Sequence, residues 1–295
     1  MATVDVVVVS YNSRDHLREC VEPLASVDDV HVIAVDNASP DEGLDVVADL
    51  PITRIAREQN DGFGAGCNTG WRAGEAPYVL FLNPDARIDV ESLRRLAGVL
   101  DATPGAGAVA PRITHVDGSL DFSQRRFPML RSTYARALFL HRIFPTAQWV
   151  DELVREPGAY AEQGSPDWVS GACFLVRRSM LEQLDGFDEG FFMYCEDIDL
   201  CRRLRDAGQD LLFEPTAAVV HEGGASAPRA SLLPVLAASR LRYAAKHSSA
   251  SAALVERLGI ALEGLTHIVV SEGGRPVRAG HARAFLLAMT RPAQS

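Results

Sequence analysis

Along the first hundred residues, apolar and polar positions fall into blocks of two kinds that alternate. "VDVVVVS" (4–10) and "YVLFL" (78–82) are apolar runs rich in β-branched or aromatic residues, broken only at Asp5. Runs of this kind predict strands buried on both faces, as in a parallel sheet covered by helices. "VHVIAVDNAS" (30–39) and "ITRIA" (52–56) extend the set. Helical spacing lies between them: roughly Ser13 to Leu24, a stretch through "AGCNTGWRAG", and "DVESLRRLAGVLDAT" (89–103). "SPDE" (39–42) predicts another helix start, with Ser39 as N-cap, Pro40 at the first position and Glu42 completing a capping box. The alternation predicts an α/β fold, a doubly wound and mainly parallel twisted sheet flanked by helices.

After "GAVAPRI" (107–113) the alternation stops. Residues 115–165 read as an irregular insertion carrying one basic, aromatic helix, "RSTYARALFLHRIF" (131–144). Order resumes with a strand and helix in "WVSGACFLVRRSMLEQLDGF" (168–187) and a helix in "CEDIDLCRRLRDAG" (195–208) that ends at Gly208. "LLFEPTAAVVHEGG" (211–224) predicts two short extended pieces. The organisation expected is one α/β domain over 1–224 and a mainly helical C-terminal extension over 225–295.

Charge sharpens this division. The chain of 295 residues has a net charge of −10. Residues 225–295 hold nine basic and three acidic residues (+6), and residues 1–224 hold 20 basic and 36 acidic (−16). An acidic body excludes nucleic acid as a non-specific partner, because such binding needs a basic surface that displaces counterions. The basic tail suits an anionic membrane surface or an acidic partner, or is simply a solvated helical face. The 131–144 helix is amphipathic and basic, which fits a membrane surface or ordinary core packing with wet arginines. Five cysteines without CxxC spacing argue against a disulfide framework and for a reducing compartment. The first residues lack a basic leader, and no stretch reaches about 18 uncharged apolar residues. A cytoplasmic location is expected, with peripheral contact at the inner face of the membrane as an extension of it.

Candidate chemistry gathers at strand ends, where ligands bind in open α/β sheets. The first predicted strand ends in Ser10-Tyr11-Asn12, the second in Asp36-Asn37, and a later one in Asn83-Pro84-Asp85. The glycines of "NDGFGAGCNTG" (60–70) are not a dinucleotide fingerprint, because the first strand–helix turn, "SYNSRD", contains none. They let a backbone approach a ligand closely before a helix begins. In "FFMYCEDIDLC" (191–201), Glu196, Asp197 and Asp199 follow an apolar wall. A carboxylate in such surroundings is raised toward the working range of a general base. His221 ends another extended segment and is a candidate metal ligand.

Taken in order, "VVVSYNS", "VIAVDNASPD", "NDGFGAGCNTG", "FLNPDA", "WVSGACFLVRR", "DGFDEGFFMYCEDIDLCRRLRDAG" and "HEGG" resemble the inverting family 2 glycosyltransferases of the GT-A fold, especially bacterial rhamnosyltransferases. The resemblance spans roughly residues 4 to 224. It implies that Ser10 and Tyr11 line a nucleotide pocket and that Asp36 binds the pyrimidine. It places Asn60, Gly62, Gly64, Asn68 and Asn83 at the ribose, diphosphate or donor sugar. Asp85 matches the last acid of a DxD motif, with Asn83 replacing the first, and His221 matches a histidine that completes the site for Mg2+ or Mn2+. Asp197 matches the catalytic base, with Glu196 as the fallback, and Trp168, Gly171 and Ala172 shape the acceptor side. The implied donor is a dTDP- or UDP-sugar, with dTDP-rhamnose favoured. The implied acceptor is a cell-envelope glycan or a lipid-linked saccharide. A nucleotidyltransferase and a non-catalytic nucleotide-sugar-binding scaffold are the rival readings.

Overall fold

A computed structural model describes residues 3–223, 229–270 and 274–290. In chain order the elements are β1 (Val4–Ser10), α1 (Arg14–Val21), β2 (Val30–Asp36), β3 (Thr53–Ala56), α2 (Phe63–Arg72), β4 (Tyr78–Leu82), β5 (Ala86–Ile88), α3 (Val90–Ala102) and β6 (Ala106–Thr114). They continue with β7 (Gln124–Arg125), α4 (Leu130–Ala137), α5 (Leu140–Ile143), β8 (Trp168–Val169), β9 (Cys173–Arg177), α6 (Arg178–Leu184), α7 (Glu196–Asp206) and β10 (Asp210–His221). Three helices follow: α8 (Arg229–His247), α9 (Ala250–Val270) and α10 (Gly274–Thr290).

The chain divides into two compact units. The first comprises Met1–Arg125, Arg155–Gly190 and Glu196–Ser226. It is built on an eight-stranded sheet of order β3-β2-β1-β4-β9-β6-β10-β5. β3, β2, β1 and β4 run parallel, β9 is antiparallel between β4 and β6, β10 is parallel to β6, and β5 closes the edge antiparallel to β10. Every residue of β1 and β4 is buried, as the apolar runs predict, Asp5 included. Each fully buried Val or Leu contributes roughly 1.5–3 kcal/mol, set against the entropy of ordering the chain. Asp5, the interruption in β1, accepts the Ala76 N–H (2.8 Å) and pairs with Arg178 and His31 (2.5 and 2.9 Å).

Helix α2 lies tight on β1. A Cβ at Gly66 would come within 2.7 Å of Val9, and one at Gly70 within 2.3 Å of Val7. The small residues of the 60–70 stretch therefore serve packing before anything else. Helix α3 starts as its sequence predicts, with the Asp89 carboxylate accepting the Ser92 N–H (2.6 Å).

Three expectations are corrected. "SPDE" starts no α-helix; a 3-10 turn at Gly43–Val47 follows it, and Glu42 adopts a left-handed conformation (φ 54°). Local hydrogen bonds outcompete the capping box: Asp41 accepts from the Ser39 hydroxyl (2.6 Å), the Gly43 N–H (3.2 Å) and the Arg14 N–H (2.9 Å). The single helix over 131–144 is broken into α4 and α5 at Phe139, which is left-handed (φ 58°) and stacks on His267 at 4.4 Å. "WVSGACFLVRR" forms two strands: β8 pairs with β7 in a separate ribbon, and only β9 joins the main sheet.

The second unit comprises Arg126–Val154, Phe191–Cys195 and Ala227–Ser295, so it takes in part of the insertion as well as the C-terminal helices. Helix α4 packs on α9, where Arg240 bonds Glu256 (2.9 Å), Glu263 (2.7 Å) and Thr133 (2.9 Å). The Phe191 ring lies beneath Arg242 and Lys246 at 5.2 and 5.9 Å. All five cysteines are free and buried. Among the described residues, no helix is long and apolar enough to cross a membrane.

Candidate active site

The parallel register puts Ser10 beside Asp36 at the carboxyl ends of β1 and β2, with β4 on the other side of β1. Ser10 is buried and its hydroxyl has no partner, and neither does Asp36 Oδ1. Asp36 Oδ2 accepts the Ser39 N–H at 3.1 Å. Burial raises the Asp36 carboxyl above its ordinary range, the Ser39 bond opposes this, and the Asp41 charge adds to it. Orphaned buried polar atoms are costly unless a ligand completes them. Tyr11 is exposed at the same strand end.

Asn37 ties the second strand end to the glycine loop, donating to Asn60 Oδ1 (2.9 Å) and to the Gly62 carbonyl (3.0 Å). Asn60 Oδ1 also accepts the Gly62 N–H (3.0 Å), so this side chain shapes its own loop. Gly62 has φ 103°, a conformation for which glycine is suited, and α2 follows it. Gly64 faces Phe187 and Glu196; a Cβ there would lie 3.1 Å from Phe187 and 3.8 Å from Glu196.

Asn68 is a correction. Its Nδ2 donates to the Phe187 carbonyl and to Glu189 (both 2.8 Å), and its Oδ1 accepts from Trp71 Nε1 and the Phe187 N–H (both 2.9 Å). Its hydrogen-bonding capacity is used up inside the protein, so it fastens the 187–189 segment and has none left for a donor sugar.

Asp85 sits in the turn between β4 and β5. Because β5 pairs with β10, Ala86 lies opposite His221, and the Asp85 carboxylate meets His221 Nε2 at 3.2 Å. Asn83 Nδ2 lies 3.4 Å from the same nitrogen. Beyond the imidazole, Asp121 stands 4.0 Å from Nδ1, which has no hydrogen-bond partner. Burial pulls the His221 pKa down, but Asp121 and Asp85 outweigh it and push it up to about 9. Burial also lifts Asp85, but the bond to His221, the His221 charge and backbone N–H groups together outweigh it and hold the carboxyl below its ordinary range.

Among the described residues, no group of three or more His, Cys, Asp and Glu side chains forms a metal cage. Asp85 and His221 nevertheless fit a divalent cation of another kind. The proton that joins them would have to leave when a cation binds, after which Asp85 and His221 Nε2 would offer two converging donors and leave the remaining positions to phosphate oxygens and waters. Mg2+ is commonly bound in that way, and Mn2+ accepts imidazole readily.

The acid pair opens α7 directly after two consecutive left-handed residues, Tyr194 (φ 69°) and Cys195 (φ 66°). Such backbone costs roughly 1–3 kcal/mol per residue and clusters at functional sites. Asp197 Oδ1 accepts the Ile198 N–H (2.8 Å) and Oδ2 the Gly171 N–H (3.1 Å). Burial raises its pKa, while those N–H groups and the charge of Arg125 lower it, and the net direction is upward. Glu196 is raised further, by burial and then by the Asp197 charge, and its Oε2 is buried without a partner. Gly171 and Ala172 join the two acid sites. Gly171 holds Asp197, and the next carbonyl, of Ala172, accepts the Asn83 N–H (2.8 Å). Trp168 is buried on β8 with Arg125 over its ring at 5.5 Å.

The buried Glu196 yields a prediction. A carboxyl that binds its proton more tightly folded than unfolded makes stability fall as pH rises above the ordinary glutamate range. Between pH 5 and pH 8, Glu196→Gln is expected to lose less melting temperature than the parent protein. The parent's melting temperature should fall more steeply across this range than the variant's. Parallel slopes in a pH series of thermal melts would remove this reading of Glu196.

Asp121 and Arg125 are absent from the residues singled out by sequence. "DFSQRR" (121–126) does place acid and base close together, but inside an irregular stretch and at no predicted strand end. Nothing local marks them.

The mainly parallel eight-stranded sheet with flanking helices is that of the GT-A fold. The chain belongs to Glycosyl transferase family 2, whose family model matches residues 5–185, and the protein is a glycosyltransferase. It is 34% identical over 239 residues to the N-acetylglucosaminyl-diphospho-decaprenol L-rhamnosyltransferase of Mycobacterium tuberculosis, covering 76% of this chain and 77% of that one. Identity to the rhamnosyltransferase WbbL of Escherichia coli is 28% over 240 residues, 74% and 83% of the two chains. The mannosyltransferase PcManGT of Pyrobaculum calidifontis, solved with GDP-Man and Mn2+, shares the fold with a TM-score of 0.57 and 16% identity over 98% of this chain and 87% of that one.

Proposed function

We propose that this glycosyltransferase moves rhamnose from dTDP-rhamnose to a hydroxyl of a diphosphate-linked glycan acceptor, with inversion at the anomeric carbon. The observation that carries the reading is the two-bond link from Asp197 through Gly171 and Ala172 to Asn83, which keeps a raised carboxylate next to the strand end bearing Asp85. The names of the two rhamnosyltransferase relatives support the sugar, and that of the mycobacterial one supports the class of acceptor. The Mn2+ in the mannosyltransferase supports use of a divalent cation.

Ser10, Tyr11, Asp36, Asn60, Gly62, Gly64 and Asn83 form the donor side. Asp36 and Ser10 satisfy their free oxygens on the nucleoside. Asp85 and His221 would hold Mg2+ or Mn2+, which when bound would supply Lewis-acid neutralisation of charge on the donor diphosphate. Asp197 takes the proton of the acceptor hydroxyl as that oxygen attacks the anomeric carbon, and Glu196 is the second candidate for that proton. Trp168, Gly171 and Ala172 border the acceptor. Residues 1–224 carry this chemistry, 225–295 extend it, and the enzyme works in the cytoplasm as a peripheral partner of the membrane.

A thermal-shift panel of nucleotides and nucleotide sugars, with and without Mn2+, followed by transfer assays, tests the reading. dTDP-rhamnose with Mn2+ is expected to raise the melting temperature, since a ligand at about 100 times its Kd adds about 2.7 kcal/mol. Transfer to a diphosphate-linked N-acetylglucosamine lipid is expected to follow. A preference for UDP-sugars would reassign the donor, and the lack of response to any nucleotide sugar would overturn the reading.

A further inference from the structure

Arg125 is a cation that the donor site leaves unused. It lies on the β7–β8 ribbon, outside the main sheet, in register with Trp168. Its guanidinium rests over the Trp168 ring at 5.5 Å, and its Nε donates to the Phe122 carbonyl at 3.0 Å. The ribbon is fastened one step further on, where the Ser170 N–H donates to the Ser123 carbonyl (3.0 Å), and the next residue, Gly171, holds Asp197. The Arg125 charge reaches both Asp197 and Asp121. Yet its two terminal nitrogens make no hydrogen bond and no ion pair among the described residues, and the group is only half-buried.

An arginine fixed by stacking and by one backbone bond, with its outer fork unpaired beside carboxylates, is preorganised for a planar anion that arrives from outside. Two phosphate groups could supply one. The donor's diphosphate belongs with the strand ends of β1, β2 and β4 and with Asp85 and His221. Arg125 stands instead on the ribbon that carries Trp168, and that ribbon leads directly to the Gly171–Asp197 bond. The anion delivered there is the one that travels with the nucleophile.

We infer that Arg125 binds a phosphate oxyanion of the acceptor, positioning the acceptor hydroxyl at Asp197. This rests on the reading of the acceptor as diphosphate-linked.

The test compares two acceptors of equal chain length, an N-acetylglucosaminyl diphosphate lipid and an alkyl N-acetylglucosaminide without phosphate, with dTDP-rhamnose as donor. Arg125→Ala is expected to raise KM for the diphosphate acceptor by about 10- to 100-fold while leaving KM for the phosphate-free acceptor and for the donor within about threefold. Arg125→Lys keeps the charge without the fork and is expected to fall between, and it serves as the readout if the Ala variant does not fold. Equal losses with both acceptors, or a raised donor KM, would assign Arg125 to the donor diphosphate or to the field at Asp197 and overturn the inference. A wild-type enzyme with no preference for the diphosphate acceptor would remove the underlying reading before any variant is made.

Discussion

Asp197→Asn is expected to lower kcat roughly a thousandfold while leaving the donor Kd close to that of the parent enzyme, as loss of a general base does. The substitution is nearly isosteric, and its structural cost can be followed bond by bond. Asp197 accepts the Ile198 N–H on one oxygen and the Gly171 N–H on the other. An amide can accept only one of these, so one hydrogen bond is lost, at about 1 kcal/mol. Against that loss, removing the Asp197 charge relieves Glu196, whose carboxyl that charge raises. The melting temperature should therefore move little while turnover collapses. In the parent enzyme, burial holds the Asp197 carboxyl above the ordinary aspartate range. Activity then falls as pH drops through that raised pKa, so the acid limb lies above the range of an exposed aspartate. Single-turnover rates against pH, with donor Kd by calorimetry, check both points. Unchanged turnover in Asp197→Asn would move the base to Glu196 or elsewhere.

Asp85→Ala is expected to be the other near-inactive variant, with kcat/KM lowered on the order of a thousandfold and the dependence on Mn2+ flattened. In the proposed cation site the donors among the described residues are Asp85 and His221, with Asn83 in place of a second acid, so removing Asp85 would leave a single donor. The fold should survive, because the β5–β10 pairing that brings His221 to this turn is made by backbone at Ala86, Arg87 and Ile88. His221 would lose its nearer carboxylate and keep Asp121 at 4.0 Å. Initial rates after chelation and stepwise return of Mn2+ make the comparison. A variant whose rate still climbs with Mn2+ as the parent's does would show that Asp85 is not the cation's anchor.

The strands were the most legible part of the chain, because burial on both faces demands uninterrupted apolar runs and few other structures tolerate them. The same logic explains why Ser10, Asp36 and Asp85 could be picked out: a polar residue at the last step of such a run stands out against it. Local competition was harder to read. "SPDE" satisfies every rule for a helix start, yet Asp41 draws in the Ser39 hydroxyl and two N–H groups and holds the chain in a 3-10 turn. Asn68 is placed at the donor by the family resemblance. Its partners, Phe187 and Glu189, lie more than a hundred residues away, and nothing in its own neighbourhood announces them.

By itself, the sequence determined the class of fold and the order of motifs that marks a family 2 glycosyltransferase. These depend on periodicity and on local chemistry, which a linear chain carries openly. Only the tertiary structure decided which groups meet. Antiparallel pairing of β5 with β10 sets His221 on Asp85, and the Gly171–Ala172 turn sets Asp197 near Asn83. The β7–β8 ribbon brings Arg125 over Trp168. Each of those meetings uses a backbone group of a distant segment, with the Asp197 carboxylate as acceptor in one case, and backbone groups are the same in every residue, so the sequence does not mark the partner.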